Sequence, residues 1–415
     1  MRSQGEHGQR HRRCARFRGA RHALGGQSHR APAARQANRR AARVHAGAER
    51  DDRAAEAGSH TPAAPAAPAA DLTMQRVVSV EAPSGGADWL RSPGFDLALV
   101  VGVLTLALAL GGAAAVSPRL FGYVLWFDIG VLAYPHVTST YTRIAFDRES
   151  AKRHWFLLTG LPLLVLAALS GVAALGGAGA LFTAYYVGQT YHYTRQSYGI
   201  ARVYRRRGGG VARGHGRLTD AVVYAFPIWG LLQRAHEAHD VFYDNPLLLP
   251  RVPALVTNLA GGVACALFAA WCFGELRALL AGSRRYGHAL FVLSHVAITF
   301  VSYLVMRDVT SGWLAVNLWH NAQYLLFVWT FNATRFRAGP DAQSAFLSRL
   351  CQPRNAWAYA LFCLAFGAGV YATLGGVGWL LPVTAFPALL VLHLSVNFHH
   401  YLVDGVIWRS RKGVS

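Results

Sequence analysis

Charged side chains are scarce in this 415-residue chain: Asp, Glu, Lys and Arg make up 15% of it, against 53% hydrophobic residues. Lysine is nearly missing, with only Lys152 and Lys412, so arginine supplies almost all of the positive charge. The five cysteines form no CxxC pair, and Cys265 and Cys272 share one apolar stretch, which gives neither a disulfide framework nor a zinc ribbon. Glycine is plentiful but has no period of three, excluding a collagen-like chain. A P-loop, a dinucleotide fingerprint and a GxSxG elbow are all missing, and with them the usual sequence signs of nucleotide binding and serine-hydrolase chemistry. A soluble protein of this length could not hide so much apolar surface behind so few charges. A polytopic membrane protein is what remains.

The charge that is present is unevenly spread. Residues 1–73 hold fourteen arginines and six acids, a net of +8, and end in an Ala/Pro run from His60-Thr61-Pro62 to Ala70. With almost no large aliphatic or aromatic side chains, this tail buries too little apolar surface to offset its ordering entropy and is expected to be disordered. Arginine-rich runs also serve nucleic-acid binding or organelle transit, and Met74-Gln75-Arg76 offers an alternative start that would leave the tail without a role. Residues 74–95 read as a juxtamembrane lead-in, 96–408 as the membrane domain and 409–415 as a cytoplasmic tail. Nothing in the membrane domain points to nucleic acid.

From about residue 96 the chain turns into apolar runs of roughly 17–28 residues, long enough to cross a bilayer core of about 30 Å as helices. They lie near 96–117, 120–146, 154–176, 178–204, 218–234, 253–274, 286–306, 312–332, 356–374 and 379–408. Arginine placement supports the count independently. Basic loops near 143–153, 202–217, 277–285, 335–354 and 409–412 alternate with connections that are uncharged (174–180, 375–378), balanced (Arg307-Asp308) or mixed (235–252). That alternation is what the positive-inside rule requires of ten spans with both ends cytoplasmic. The fold class expected is therefore an all-α, polytopic membrane helical bundle, in a cytoplasmic membrane of bacterial type, with membrane lipids as its surroundings.

Several histidines fall inside these runs, where ionisable groups are costly and usually face the bundle interior. His136, His192, His295 and His320 sit in the second, fourth, seventh and eighth spans, and His393, His399 and His400 in the tenth. On a helix of 3.6 residues per turn, His393, Asn397, His400 and Asp404 form one stripe at offsets 0, 4, 7 and 11. The fourth span repeats those offsets with Tyr185, Gln189, His192 and Gln196. The eighth gives Asn317, His320 and either Gln323 or Tyr324. The second, fourth, eighth and tenth spans run in the same direction, which brings their histidines to similar depth.

Imidazoles converging from separate helices suit metal or haem ligation, with neighbouring polar groups fixing the tautomer. The ligands expected are His136, His192, His320 and His400, with Asp404 and His393 as ligand or supporting group. His393 and His400 lie about 10.5 Å apart along the axis, too far to share one ion. Gln189, Gln196, Gln323 and Asn397 are read as hydrogen-bonding support for a cofactor. His399 points about 100° away from the stripe. His154 stands at the inner membrane edge, within possible reach of the site; His236 and His239 form a pair in an outer loop; and His215 is read as solvated.

Intramembrane histidines near the inner face, together with Phe398-His399-His400, resemble the layout of the membrane-bound desaturase and hydroxylase group and of the bacterial carotene-cleaving membrane oxygenases. The HxxxH and HxxHH boxes of the desaturase group are absent, and none of that family's residues is carried over. The resemblance implies a non-haem iron oxidoreductase acting on a lipophilic small molecule, with an electron donor that the sequence does not identify. Two other readings stay open at this point. One is a b-type haem protein with His192 and His320, or His136 and His400, as axial ligands. The other is a proton-coupled transporter using the same histidines.

Overall fold

Ser-Pro pairs start the first two long helices. Ser92 and Ser117 accept the backbone N–H of Phe95 (3.3 Å) and Leu120 (3.4 Å), while Pro93 and Pro118 take the first helical position, where the missing N–H costs nothing. The helices that follow are α1 (Pro93–Val116) and α2 (Pro118–Ile144). Each widens into a π-helical turn, Ala98–Gly102 and Asp128–Ala133 respectively. The second of these turns lets Pro135 be carried in mid-helix, where a regular ladder would clash with its ring.

The computed structural model describes residues 88–209, 213–237, 241–380 and 387–408, all within one unit, Pro68–Ser415. The tail expected over 1–73, most of the lead-in, and 409–415 lie outside the described residues. Beyond α2 come the short α3 (Arg148–Arg153), α4 (Trp155–Arg207), α5 (Arg213–Glu237) and a two-residue hairpin, Val241–Phe242 with Asn245–Pro246. Then follow α6 (Ala254–Leu280), α7 (Tyr286–Val305), α8 (Val309–Arg335), the short α9 (Ala345–Leu350), α10 (Ala356–Leu380) and α11 (Ala388–Ile407).

The 53 residues of α4 would run about 80 Å if straight, far beyond one bilayer core. The helix breaks at Gly177, whose φ of 61° and ψ of −154° belong to a region that essentially only glycine enters. Leu157 on the first arm meets His399 (2.6 Å from its carbonyl to Nε2), and His192 on the second arm meets His400 (3.1 Å between Nε2 atoms). Both arms thus reach the same level of α11, so the chain reverses at Gly177. Nine of the apolar stretches read from the sequence coincide with a helix or, for α4, with one arm; of the tenth, 379–408, α11 takes up Ala388–Ile407, and 381–386 lie outside the described residues.

Six helical stretches are long and apolar enough to cross a membrane: α1, α2, α4, α6, α7 and Pro353–Val377, which includes most of α10. Large apolar side chains cover their outer faces, among them Leu175, Trp357 and Leu255, 92, 83 and 68% exposed. Such a surface suits hydrocarbon and not water.

The helix that sits innermost is α8, with 20 of its 27 residues buried. Asp308 caps it by accepting the N–H groups of Thr310 and Ser311. Buried Arg234 of α5 donates to the carbonyls of Ser302, Met306 and Arg307, holding the α7–α8 connection in place. On the opposite side, Gly111 of α1 lets Ala315 of α8 approach so closely that a Cβ would overlap it. These contacts fix the height and rotation of α8, and with them the position of His320.

Candidate metal centre

Four helices each deliver one imidazole to the same buried point. His136 comes from α2, one residue past Pro135; His192 from the second arm of α4; His320 from α8; and His400 from α11. All four are at most 4% exposed. His400 Nε2 lies 2.8 Å from His136 Nε2 and 3.1 Å from His192 Nε2. One ligand nitrogen each from His136, His192 and His320 falls within a mutual 4.8 Å, as do ligand atoms of His192, His400 and Asp404. His320 Nε2 and His136 Nδ1 are buried and have no hydrogen-bond partner.

Donors about 2.1 Å from one ion stand roughly 3.0–3.4 Å from each other at angles between 90° and 109°. The 3.1 Å between His400 and His192 falls on an edge of such a coordination polyhedron, and the 2.8 Å between His400 and His136 is slightly shorter than one. The partnerless Nε2 of His320 fits the same account, because a buried donor or acceptor without a partner is otherwise expensive. The donor set suits a divalent transition ion: neutral imidazoles with a carboxylate beside them.

Hydrogen bonding around His400 sets its tautomer. Thr140 Oγ1 donates to Asp404 Oδ1 (3.0 Å), and Tyr324 donates to the same oxygen (2.7 Å). Thr140 Oγ1 also lies 2.8 Å from the Tyr324 hydroxyl and 2.9 Å from His400 Nδ1. With the Thr140 proton on Asp404, the Nδ1–H tautomer of His400 donates to Thr140 and leaves Nε2 as a lone pair toward His136 and His192. Trp408 Nε1 donates to the Tyr324 hydroxyl (3.2 Å), closing the network from outside. Asp404 Oδ2 remains the open oxygen, 3.9 Å from His400 Nε2 and 3.5 Å from the Gln196 amide.

A cavity of about 700 Å³ reaches one member of this cluster, His192, together with the neighbouring Asp404. His192, Gln196, Tyr324 and Asp404 form its inner end, and Leu161, Phe327, Phe331 and Phe398 supply apolar wall. Its rim includes Tyr191, Leu402 and Val406, which are 64, 48 and 41% exposed on the outer faces of α4 and α11. The opening is thus lateral, between two helices of the bundle.

The remaining expected site residues go elsewhere. His393 packs its ring against Tyr371 and Tyr134, at centroid distances of 5.1 and 6.5 Å, and Asn397 donates to the His393 carbonyl (3.0 Å). Neither joins the cluster. Gln323 turns to the Leu99 carbonyl of α1 (3.5 Å), so Tyr324 is the residue of that pair that faces the site. Gln189 supports a different group, the fully buried Asp128 of α2: Asn317 and Asn321 donate to the carboxylate, Gln189 donates to Asn317, and Trp313 donates to Gln189. Of the four amides, Gln196 alone touches the histidine site.

The outlying histidines are also accounted for. His399 spends both ring nitrogens on the Tyr141 hydroxyl (2.7 Å) and the Leu157 carbonyl. His295 bonds the Val223 carbonyl, and His154 stays with Ser150 of α3. His215 is not solvated as expected but pairs with buried Glu275 (2.7 Å). His236 bonds the Val252 carbonyl, while His239 lies outside the described residues. Sequence reasoning missed Thr140, the role of Trp408, and Asp128. An acid in the middle of an apolar run was the available signal for the last. Comparison with protein-family models, with curated proteins and with solved structures gave no match.

Proposed function

We propose that this chain is an integral-membrane, metal-dependent oxidoreductase whose ion, a non-haem iron in the first instance, is held by His136, His192, His320 and His400. Its substrate is a lipophilic small molecule that enters from the bilayer. The observation that carries this reading is the meeting of four imidazoles from four helices beside a laterally open cavity that reaches His192 and Asp404. A bound iron would supply Lewis acidity and one-electron chemistry at that end. The chain's own groups have distinct tasks. Thr140 keeps His400 in the tautomer that ligates, Tyr401 stacks on the His192 ring (4.2 Å between centroids), and the apolar wall keeps bulk water away. Asp404 Oδ2 faces the same end and would ligate the ion or hold a proton.

In this reading the chain crosses the membrane ten times, with α5, α8, α11 and both arms of α4 as crossings and both ends on the cytoplasmic side. The basic connections then lie inside, in keeping with the alternation of arginine-rich and neutral loops. Helices α8 and α11 are too polar to be identified as spans by composition alone, and their polar residues, His320 and His400 among them, are buried inside the bundle.

The haem alternative has less support. Two axial imidazoles stand about 4 Å apart, nitrogen to nitrogen, with the macrocycle between them. The 2.8 Å between His136 and His400 leaves no plane for a porphyrin between that pair, and the His192 and His320 rings, with centroids 5.0 Å apart, stand closer than two axial ligands would.

Elemental analysis and an absorption spectrum of detergent-purified protein test the proposal. About one equivalent of a transition metal without a Soret band is expected, falling below a tenth in His320→Ala and His400→Ala proteins that still insert. Metal retained in both variants refutes the assignment.

A further inference from the structure

A second set of metal-binding side chains lies away from the histidine cluster, where α5 and α7 begin and α6 ends beside the arginine-rich 202–217 and 277–285 connections. Glu275 of α6 is buried, and an ionised carboxylate in so apolar a helix is costly unless it is paired. Its Oε1 lies 2.7 Å from His215 Nε2 of α5 and 3.3 Å from His288 Nδ1 of α7. Three helices thus supply two imidazoles and one carboxylate, a set that holds zinc-like ions in proteins.

Hydrogen bonding leaves this set unfinished. His288 is 0% exposed, yet neither of its ring nitrogens has a hydrogen-bond partner. Glu275 Oε2 is likewise buried without a hydrogen bond, and Arg285 Nη2 stands 3.5 Å from it. Orphaned polar atoms are expensive in a packed interior, and an ion among them lowers that cost. Geometry agrees for one pair: 3.3 Å is the separation of two donors that share an ion at about 2.0–2.1 Å in tetrahedral coordination. The 2.7 Å at His215 is a hydrogen bond, which an ion would replace once the His215 proton moves to Nδ1.

Neighbouring residues hold the parts in place. Asp88 accepts the backbone N–H groups of Gly287 and His288 (2.7 Å each), which pins the first turn of α7. A Cβ at Gly274 would stand 2.8 Å from both Cε1 and Nδ1 of His215, so the missing side chain lets that ring lie against α6 beside Glu275. His215 itself, 16% exposed in the first turn of α5, is the ligand with room to adjust.

We infer that His215, Glu275 and His288 form a second metal site, for a divalent ion of the zinc type, that clamps α5, α6 and α7 together at these ends. The guanidinium of Arg285 competes for the carboxylate and repels a dication, so the ion is exchangeable and is lost to chelator during purification. It therefore adds nothing to the one tightly held equivalent proposed for the histidine cluster, and neither site needs the other.

Zinc itself is the probe. The full chain in detergent is washed with a mild chelator, and zinc uptake is followed by equilibrium dialysis, with thermal unfolding read in parallel. One exchangeable equivalent is expected at roughly micromolar free zinc, with a rise in melting temperature. His215→Ala and Glu275→Gln should each weaken that uptake by about tenfold or more and remove the zinc-dependent rise. Gly274→Ala, which moves the His215 ring aside, should do the same, whereas His400→Ala should keep both. A cooperative unfolding transition without zinc shows that a variant is folded, and partly exposed His215 keeps the test open should Glu275→Gln not fold. Absence of an exchangeable equivalent, or uptake that survives in folded His215→Ala protein, overturns the inference. Loss of the exchangeable equivalent in folded His400→Ala protein does so as well, because the zinc would then belong to the histidine cluster.

Discussion

His400 Nδ1 lies 2.9 Å from Thr140 Oγ1, joining α11 to α2 across 260 residues of sequence. Because Thr140 also donates to Asp404, one hydroxyl touches both the imidazole and the carboxylate. Replacing it with Val keeps the shape and removes both bonds. Thr140→Val is expected to weaken metal binding by about 10–100-fold, with Thr140→Ser close to wild type. Competition against a coloured chelator reads this directly, and an unchanged affinity in the Val variant would show that the hydroxyl does not act on the site.

His393 belongs to the same helical stripe as His400 yet packs against Tyr371 and Tyr134. His393→Ala should therefore leave metal stoichiometry at the wild-type level, while His400→Ala does not. Loss of metal from the His393 variant would mean that the stripe, and not the cluster, defines the site.

Asp128 accepts from two asparagine amides in a fully buried setting. Asp128→Ala strands those amides, at a cost of about 1–3 kcal/mol. Thermal unfolding in detergent should move to lower temperature with bound metal unchanged. A simultaneous loss of metal would tie Asp128 to the histidine cluster.

Gly111 and Gly112 are neighbours with opposite surroundings. A Cβ at Gly111 runs into Ala315 of α8, whereas one at Gly112 meets nothing within 4 Å. Gly111→Ala should destabilise the folded protein by about 1–3 kcal/mol through overpacking; Gly112→Ala should not, and gains helix propensity. Equal melting temperatures for the two variants would contradict the close approach of α1 to α8.

Gly177 makes a comparable prediction for the backbone. Its φ of 61° with ψ of −154° is closed to side chains, so Gly177→Ala is expected to cost about 1–3 kcal/mol, seen as reduced yield of folded protein and a lower melting temperature. A neutral result would mean that the reversal tolerates ordinary backbone.

The helices were legible because a bilayer imposes a minimum apolar run, and charge accumulates in alternate connections. The break at Gly177 was visible as the uncharged 174–180 stretch between two such runs. The four clustered histidines were legible for a related reason: an imidazole in an apolar run has to face something polar. Helical periodicity, however, gives an angle on one helix and not the neighbour that the angle faces. Gln189 shares a stripe with His192 but meets Asn317, and Gln323 lies about 100° from Tyr324 and turns to α1. Thr140 was hidden among the hydroxyls of Thr138, Ser139 and Thr142, which bond back to carbonyls of their own helix, as helix hydroxyls commonly do. Thr138 and Thr142 also reach across, to the Cys363 carbonyl and to Tyr359 and Asn332, and nothing local tells which of these hydroxyls meets the histidines.

The cluster joins residues 264 positions apart, from His136 in the second long helix to His400 in α11. A fragment that stops before α11 carries three of the four imidazoles and cannot close the site. If the cluster holds an ion as proposed, loading follows the placement of α11, and products cut short before it should stay metal-free however much metal is supplied.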